Sequence, residues 1–215
     1  MISFDLSLYL ILDPDLCSGP QGMIDTAHIA AQNGVTMVQL RAPRWKKRQW
    51  FETARLLKEI LYPLKIPFII NDQVDVALAV NADGVHVGQN DLPPTVVRQL
   101  IGPSKLLGLS IANREQLAAS SLAGVDYIGA GPVYATQTKL DAAPALGVDG
   151  FAELRRTIHL PTVAIGGIQA SNCASIITAG AQGVAVVSAI CGQPDAAAAT
   201  VALRQEIDRA ARRRS

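Results

Sequence analysis

Charge is what this 215-residue chain has little of: 17% of its residues are Asp, Glu, Lys or Arg, and they cancel to a formal net charge of +1. A chain so balanced has no basic field with which to hold nucleic acid and no basic face for an anionic membrane. Its basic run, Arg212–Arg214 after Arg209, lies in a basic C-terminal end at 209–215, where cations favour the last turn of a helix. Cysteine is equally sparse. Cys17, Cys173 and Cys191 are odd in number and lack metal-like or disulfide-like spacing, which points to reduced thiols in a cytoplasmic protein. No apolar run reaches the length of a bilayer span. The first residues carry Asp5, Asp13 and Asp15 instead of the basic start of a signal peptide. The three histidines form neither a Ser–His–Asp nor a Cys–His pattern, so nucleophilic catalysis finds no support, and no His/Cys cluster resembles a zinc site.

What the chain does have is apolar residues, 49% of the total, enough for the core of one large domain over residues 1–215. Short, nearly all-apolar runs recur along it: Leu8–Leu12, Met37–Leu40, Pro67–Ile70, Gly84–Val87, Leu106–Leu109, Tyr127–Ala130, Thr162–Ile165 and Gly183–Val187. Runs of this kind are strands buried on both faces of a parallel sheet. Between them fall helical patterns at Met23–Gln32, Arg48–Leu61, Val74–Val80, Thr95–Ile101, Arg114–Ala123, Phe151–Arg156, Ser171–Ala179 and Ala196–Arg212. Pro94 stands near a helix start, and Gly34, Gly124 and Gly180 stand just past helix ends. One phrase recurs where a helix turns into a strand: Asn-Ala-Asp-Gly-Val-His at 81–86, Ala-Gly-Val-Asp-Tyr-Ile at 123–128 and Ala-Gly-Ala-Gln-Gly-Val at 179–184. Eight alternations without a low-complexity linker predict an α/β protein, a closed (β/α)8 TIM barrel. An open doubly wound sheet is the alternative, but it usually shows phosphate-binding glycines after its first strand, and Asp13-Pro14-Asp15 stands there.

Chemistry on such a barrel sits at the C-terminal ends of the strands. Those ends carry Gln39 and Arg41, Asn71 and Asp72, His86 followed by Gly88 to Asp91, Ser110, the loop Gly131–Lys139, Gly166-Gly167, and Val187-Ser188. The loop Gly131–Lys139 offers Thr136, Gln137, Thr138 and Lys139, donors suited to phosphate oxygens, although a polar surface turn reads the same way. Gly166-Gly167 and Ser188 follow the seventh and eighth strands, where this fold commonly binds phosphate against bare N–H groups and a helix N-terminus. Two tight turns without a ligand are the other reading. Asp72 or Asp91 alone reads as a helix cap. As a pair facing Arg41 and Lys139 they suggest a Mg²⁺–diphosphate site, because Mg²⁺ takes one or two carboxylates and fills its shell with water and phosphate oxygens. A carboxylate dyad for acid–base work would leave the cations unexplained. His86 lies in an alternating strand and either enters the barrel or braces the rim. His28 and His159 lie away from strand ends and are expected at the surface.

The stretches Val38-Gln39-Leu40-Arg41, Asn71-Asp72, Asp83–Gln89, Gly131–Lys139, Ile165–Ile168 and Val187–Ile190 together resemble the thiamine phosphate synthase family, from Tyr9 to about Ile190. The resemblance implies coupling of 4-amino-2-methyl-5-(diphosphooxymethyl)pyrimidine with 4-methyl-5-(2-phosphoethyl)thiazole, or its carboxylated precursor, with loss of pyrophosphate. It implies Arg41 and Lys139 as catalytic residues, and Gln39, Arg41, Asn71, Ser110 and Lys139 as contacts to the pyrimidine diphosphate. Mg²⁺ would be held by Asp72 and Asp91. Thr136, Gln137, Thr138, Gly167, Val187 and Ser188 would take the thiazole phosphate. The partners are then small phosphorylated molecules, with room for a homo-oligomer. In this chemistry diphosphate leaves a methylene on an electron-rich ring, and the thiazole nitrogen attacks the cation-like carbon with its own lone pair. No general base is needed.

The chain departs from the family at one place. The family usually follows Gln-x-Arg with an acid and then a lysine, and here Pro43 stands at the lysine position, with Arg44, Lys46 and Lys47 nearby. Losing one cation from a diphosphate site costs on the order of 2 kcal/mol, about thirtyfold in rate. A non-catalytic thiazole-phosphate-binding paralogue is therefore an alternative. A thiazole tautomerase is a weaker one, since those relatives carry a histidine where this chain has Ala112.

Overall fold

The structure, a computed structural model, describes residues 4–136, 138 and 143–214. Its strands are β1 (Leu8–Leu12), β2 (Met37–Leu40), β3 (Phe68–Asn71), β4 (Gly84–Val87), β5 (Leu106–Ile111), β6 (Tyr127–Ala130), β7 (Thr162–Ile165) and β8 (Gly183–Val186). Alternating with them are α1 (Pro20–Gln32), α2 (Lys47–Leu61), α3 (Val74–Ala79), α4 (Pro94–Ile101), α5 (Arg114–Ala119), α6 (Gly147–Thr157), α7 (Cys173–Thr178) and α8 (Ala196–Arg214). Every neighbouring pair of strands is parallel, and β8 returns to β1 with Val184 opposite Leu8, so the sheet closes into the barrel that the alternation predicts.

The two-residue period of a strand divides the apolar residues into two cores. On β1, Leu8, Leu10 and Leu12 face the helices while Tyr9 and Ile11 face the barrel axis. The outer core is the larger. The helix α2 illustrates why: Trp50, Thr53, Ala54, Leu57 and Leu61 recur at helical spacing and are all buried. The inner core of Leu6, Tyr9, Ile11, Met37, Ile69, Leu106, Tyr127, Val163 and Ala185 is small, and polar side chains continue it towards the C-terminal rim.

Boundaries shift where capping chemistry was passed over. The helix α1 begins at Pro20, since a first-turn proline has the right φ and needs no N–H partner. The helix α5 stops at Ala119 because Ser120 turns extended and its hydroxyl donates to the Gln116 carbonyl. Gly124 therefore lies beyond the helix end, although its φ is positive as expected of a turn. The C-terminal basic end continues α8, and Arg214 donates to the carbonyls of Ile177 and Ala181 at 2.9 and 2.8 Å. Among the described residues no helix is long and apolar enough to cross a membrane.

Candidate active site

At the C-terminal rim lies a cleft of about 1060 Å³ lined, among others, by Arg41, Asn71, Asp72, Asp91, Ser110, Thr136, Thr138, Gly167 and Ser188. Nine of the thirteen residues picked from the strand ends thus share one cavity. Gln137 and Lys139 lie outside the described residues. Gln39 is 2% exposed and the partly buried Val187 side chain packs on the inner core.

One side of the cleft is acidic. Past β3, Asp72 takes a left-handed turn with φ 59°, which aspartate tolerates better than most residues, and its N–H donates to the His86 carbonyl at 2.9 Å. Past β4, the Gly88 N–H donates to Asp91 Oδ2 at 2.7 Å and folds that side chain back over the rim. Neither aspartate caps a helix. The N-caps of α3 and α4 are Gln73 and Pro93, with no side-chain cap bond at either. The two carboxyls instead face each other. Burial, and then the charge and hydrogen bond of Asp91, push Asp72 up to about 7, against the opposing pull of Arg41 and Asn71.

Asp13, Asp15, Asp72 and Asp91 set four carboxyls around the cleft against the guanidiniums of Arg41 and Arg44. A diphosphate entering such a field needs added positive charge, and two opposed carboxyls of which one resists ionisation are what a divalent cation relieves. No group of three or more His, Cys, Asp or Glu gathers as a metal cage among the described residues. The donor set is therefore a carboxylate pair. That set fits Mg²⁺ completed by water and substrate oxygens and does not fit a metal held by protein alone.

The opposite side is built of backbone. Gly167 has φ +63°, and a Cβ there would stand 2.6 Å from the Ala135 carbonyl oxygen and 2.7 Å from Tyr134 Cβ. Glycine is required because the loop after β6 lies directly on the loop after β7, with Val133 N–H bonded to Ile165 O at 2.8 Å and Tyr134 N–H to Gly166 O at 3.0 Å. The Thr138 N–H donates to Thr136 Oγ1 at 3.3 Å. After β8 there is one helical turn, closed by Cys191 N–H on Val187 O at 2.8 Å, before α8 begins at Ala196. The anticipated helix N-terminus is that short turn.

Of the cations near Pro43, Arg44 alone lines the cleft, paired with Asp15 across the rim. Lys47 bonds Gln73 and Asp75 on the flank of α3. Deeper in, His86 is buried at 8% exposure and joins Ser110 Oγ through Nε2 at 2.9 Å, so it braces the rim from inside the barrel. His28 and His159 are exposed. Sequence reasoning passed over Asp13, whose carboxyl accepts the N–H groups of Asp15 and Leu16 at 3.0 and 3.1 Å and so shapes the first rim loop. Its position at a strand end was the available signal. Trp45 and Gln169 also line the cleft, and nothing in their local pattern marked them.

The chain is similar to known proteins along nearly its whole length. A family described as thiamine monophosphate synthase matches residues 8–190. The thiamine-phosphate synthase of Laribacter hongkongensis is 55% identical over 196 residues, 91% of this chain and 92% of that protein. The thiamine-phosphate synthase of Azorhizobium caulinodans is 50% identical over 205 residues, 95% and 96% of the two chains. Among solved structures, thiamine phosphate pyrophosphorylase from Pyrococcus furiosus superposes with a TM-score of 0.85 at 32% identity, covering 95% of this chain and 96% of that one. By sequence along nearly its whole length and by fold, the chain belongs to the thiamine monophosphate synthase family.

Proposed function

We propose that this thiamine-phosphate-forming transferase couples an aminopyrimidine diphosphate to a thiazole phosphate across the two sides of the rim cleft. The observation that carries the assignment is the Asp72–Asp91 pair opposite Arg41, in a cleft whose described side chains hold more acid than base. Mg²⁺, when bound there, would neutralise the departing diphosphate. Arg41 holds the diphosphate from the second strand and stabilises charge developing on the leaving oxygens. Lys139 is assigned the same task on its place in the sequence. Asn71 orients the Asp72 carboxyl. Ser110 meets the pyrimidine, while Thr136, Thr138, Gly167 and Ser188 receive the thiazole phosphate through hydroxyls and backbone. Anchoring one reactant at each end brings the methylene carbon and the thiazole nitrogen within reach, which is the proximity contribution to rate. The three cysteines are unpaired thiols, which supports a cytoplasmic setting.

Pyrophosphate release with Mg²⁺ tests the whole reading. Release that needs both substrates, with thiamine phosphate formed, is the expected result. Binding of thiazole phosphate without any release would mean that Pro43 has left a binding paralogue.

A further inference from the structure

Five inward-pointing side chains form one continuous hydrogen-bonded file from the second strand to the cleft. Gln39 Nε2 donates to the Tyr9 hydroxyl at 2.6 Å, which lies 3.0 Å from the Tyr127 hydroxyl. The Tyr127 hydroxyl lies 3.1 Å from His86 Nδ1, and His86 Nε2 lies 2.9 Å from Ser110 Oγ. The barrel is shaped around this file. A Cβ at Gly108 would stand 2.3 Å from both His86 Nδ1 and Tyr127 Cζ, and one at Gly129 would stand 3.1 Å from His86 Cε1. Two strand-interior glycines thus make room for one imidazole and one phenol ring, a role glycine takes where another group approaches closely. Ser110 is also held through its backbone, since Gln89 Nε2 donates to its carbonyl at 2.8 Å.

Donor counting allows the file one direction that starts from the Gln39 amide. An amide nitrogen only donates, so the Tyr9 oxygen accepts from Gln39 and its own proton is available to Tyr127. With Tyr9 donating to Tyr127, the Tyr127 proton is free to go to His86 Nδ1. A neutral imidazole that accepts at Nδ1 carries its hydrogen on Nε2 and donates it to Ser110 Oγ. The serine has one hydrogen of its own, and it is left to point into the cleft that Ser110 lines. Burial pushes both tyrosines well above the ordinary phenol range, so each keeps the proton it passes along.

We infer that Gln39, Tyr9 and Tyr127 are positioning residues that fix His86 as the Nε2–H tautomer, so that Ser110 presents its hydroxyl hydrogen to an acceptor atom of the bound pyrimidine substrate. This rests on the reading above that Ser110 meets the pyrimidine. It gives Gln39 a task that needs no substrate contact by its amide nitrogen.

The test begins with the unaltered protein. Histidine ¹⁵N spectra at about pH 8, where an ordinary imidazole is neutral, contain three side chains, two of them exposed and assignable through His28→Gln and His159→Gln. The expected result is a single Nε2–H tautomer for His86 that gives way to a mixture in Tyr127→Phe. An Nδ1–H tautomer, or an Nε2–H tautomer indifferent to Tyr127→Phe, overturns the inference. Kinetics supply a second arm. Tyr127→Phe and Ser110→Ala should each lower kcat about tenfold, the scale of one hydrogen bond. The double variant should be no slower than Ser110→Ala, because the pair acts as one unit. Losses that multiply overturn the relay. A locked tautomer with an unaffected Ser110→Ala leaves the relay standing and removes Ser110 from the substrate site.

Discussion

The two sides of the rim are made of opposite materials. On the side of β3 and β4, charged side chains are held in place by backbone: Asp72 by its left-handed turn and Asp91 by the Gly88 N–H. On the side of β7 and β8 the cleft is lined by the uncharged residues Gly167, Gln169 and Ser188, and the missing Cβ atoms of Gly166 and Gly167 let the loop after β6 pack directly on the loop after β7. On the assignment proposed above, the difference teaches how one fold with nearly no net charge would hold two phosphorylated molecules. The leaving diphosphate, where charge grows during reaction, would be given ions. The thiazole phosphate, whose charge does not change, would be given dipoles.

That contrast can be broken at its acidic side first. Asp72→Ala or Lys139→Ala should leave the barrel folded, checked by circular dichroism, and slow pyrophosphate release by at least about a hundredfold. Near-normal turnover in either variant would remove it from the site. On the other side, Gly167→Ala introduces a Cβ into a gap of 2.6 Å at positive φ. It should raise KM for thiazole phosphate about tenfold while KM for the pyrimidine moves little. An equal rise in both would erase the division of labour.

The acidic pair also predicts a pH dependence for the metal-free protein. With Asp72 raised to about 7 in the folded state, its contribution to stability is fully present below the ordinary carboxyl range and is lost as pH rises through about 7. Mg²⁺ should therefore raise Tm by several degrees at pH near 8 and by much less near 5. Equal shifts at the two pH values would separate the metal from Asp72. The smallest expected effect is at Arg44, exposed and already paired with Asp15. Arg44→Ala should raise KM for the pyrimidine diphosphate only about threefold, as a screened surface charge would. An unchanged KM would show that Arg44 does not stand in for the lysine absent at Pro43.

Much of this was legible before the fold was seen. Eight short apolar runs with helical patterns between them leave few topologies, and the strand register follows from which residues can face a core. Arg41, Asn71, Asp72, Asp91 and Ser110 were legible because strand ends of a barrel converge on one rim. Whether Asp72 and Asp91 cap helices was not legible, since the same residue types serve both purposes, and only the N-caps at Gln73 and Pro93 decide it. The Tyr9–Tyr127–His86 file was hidden by distance along the chain. Its hydroxyl pair joins residues 118 positions apart, and the outward trace of that packing was two glycines, Gly108 and Gly129, inside apolar strands.

The metal role of the acidic pair is tested most directly by titrating Mg²⁺ into the pyrophosphate-release reaction for the unaltered protein and for Asp91→Asn. The predicted result is a half-saturating Mg²⁺ concentration at least about tenfold higher in the variant, with KM for thiazole phosphate unmoved. A Mg²⁺ dependence identical in the two proteins would contradict it.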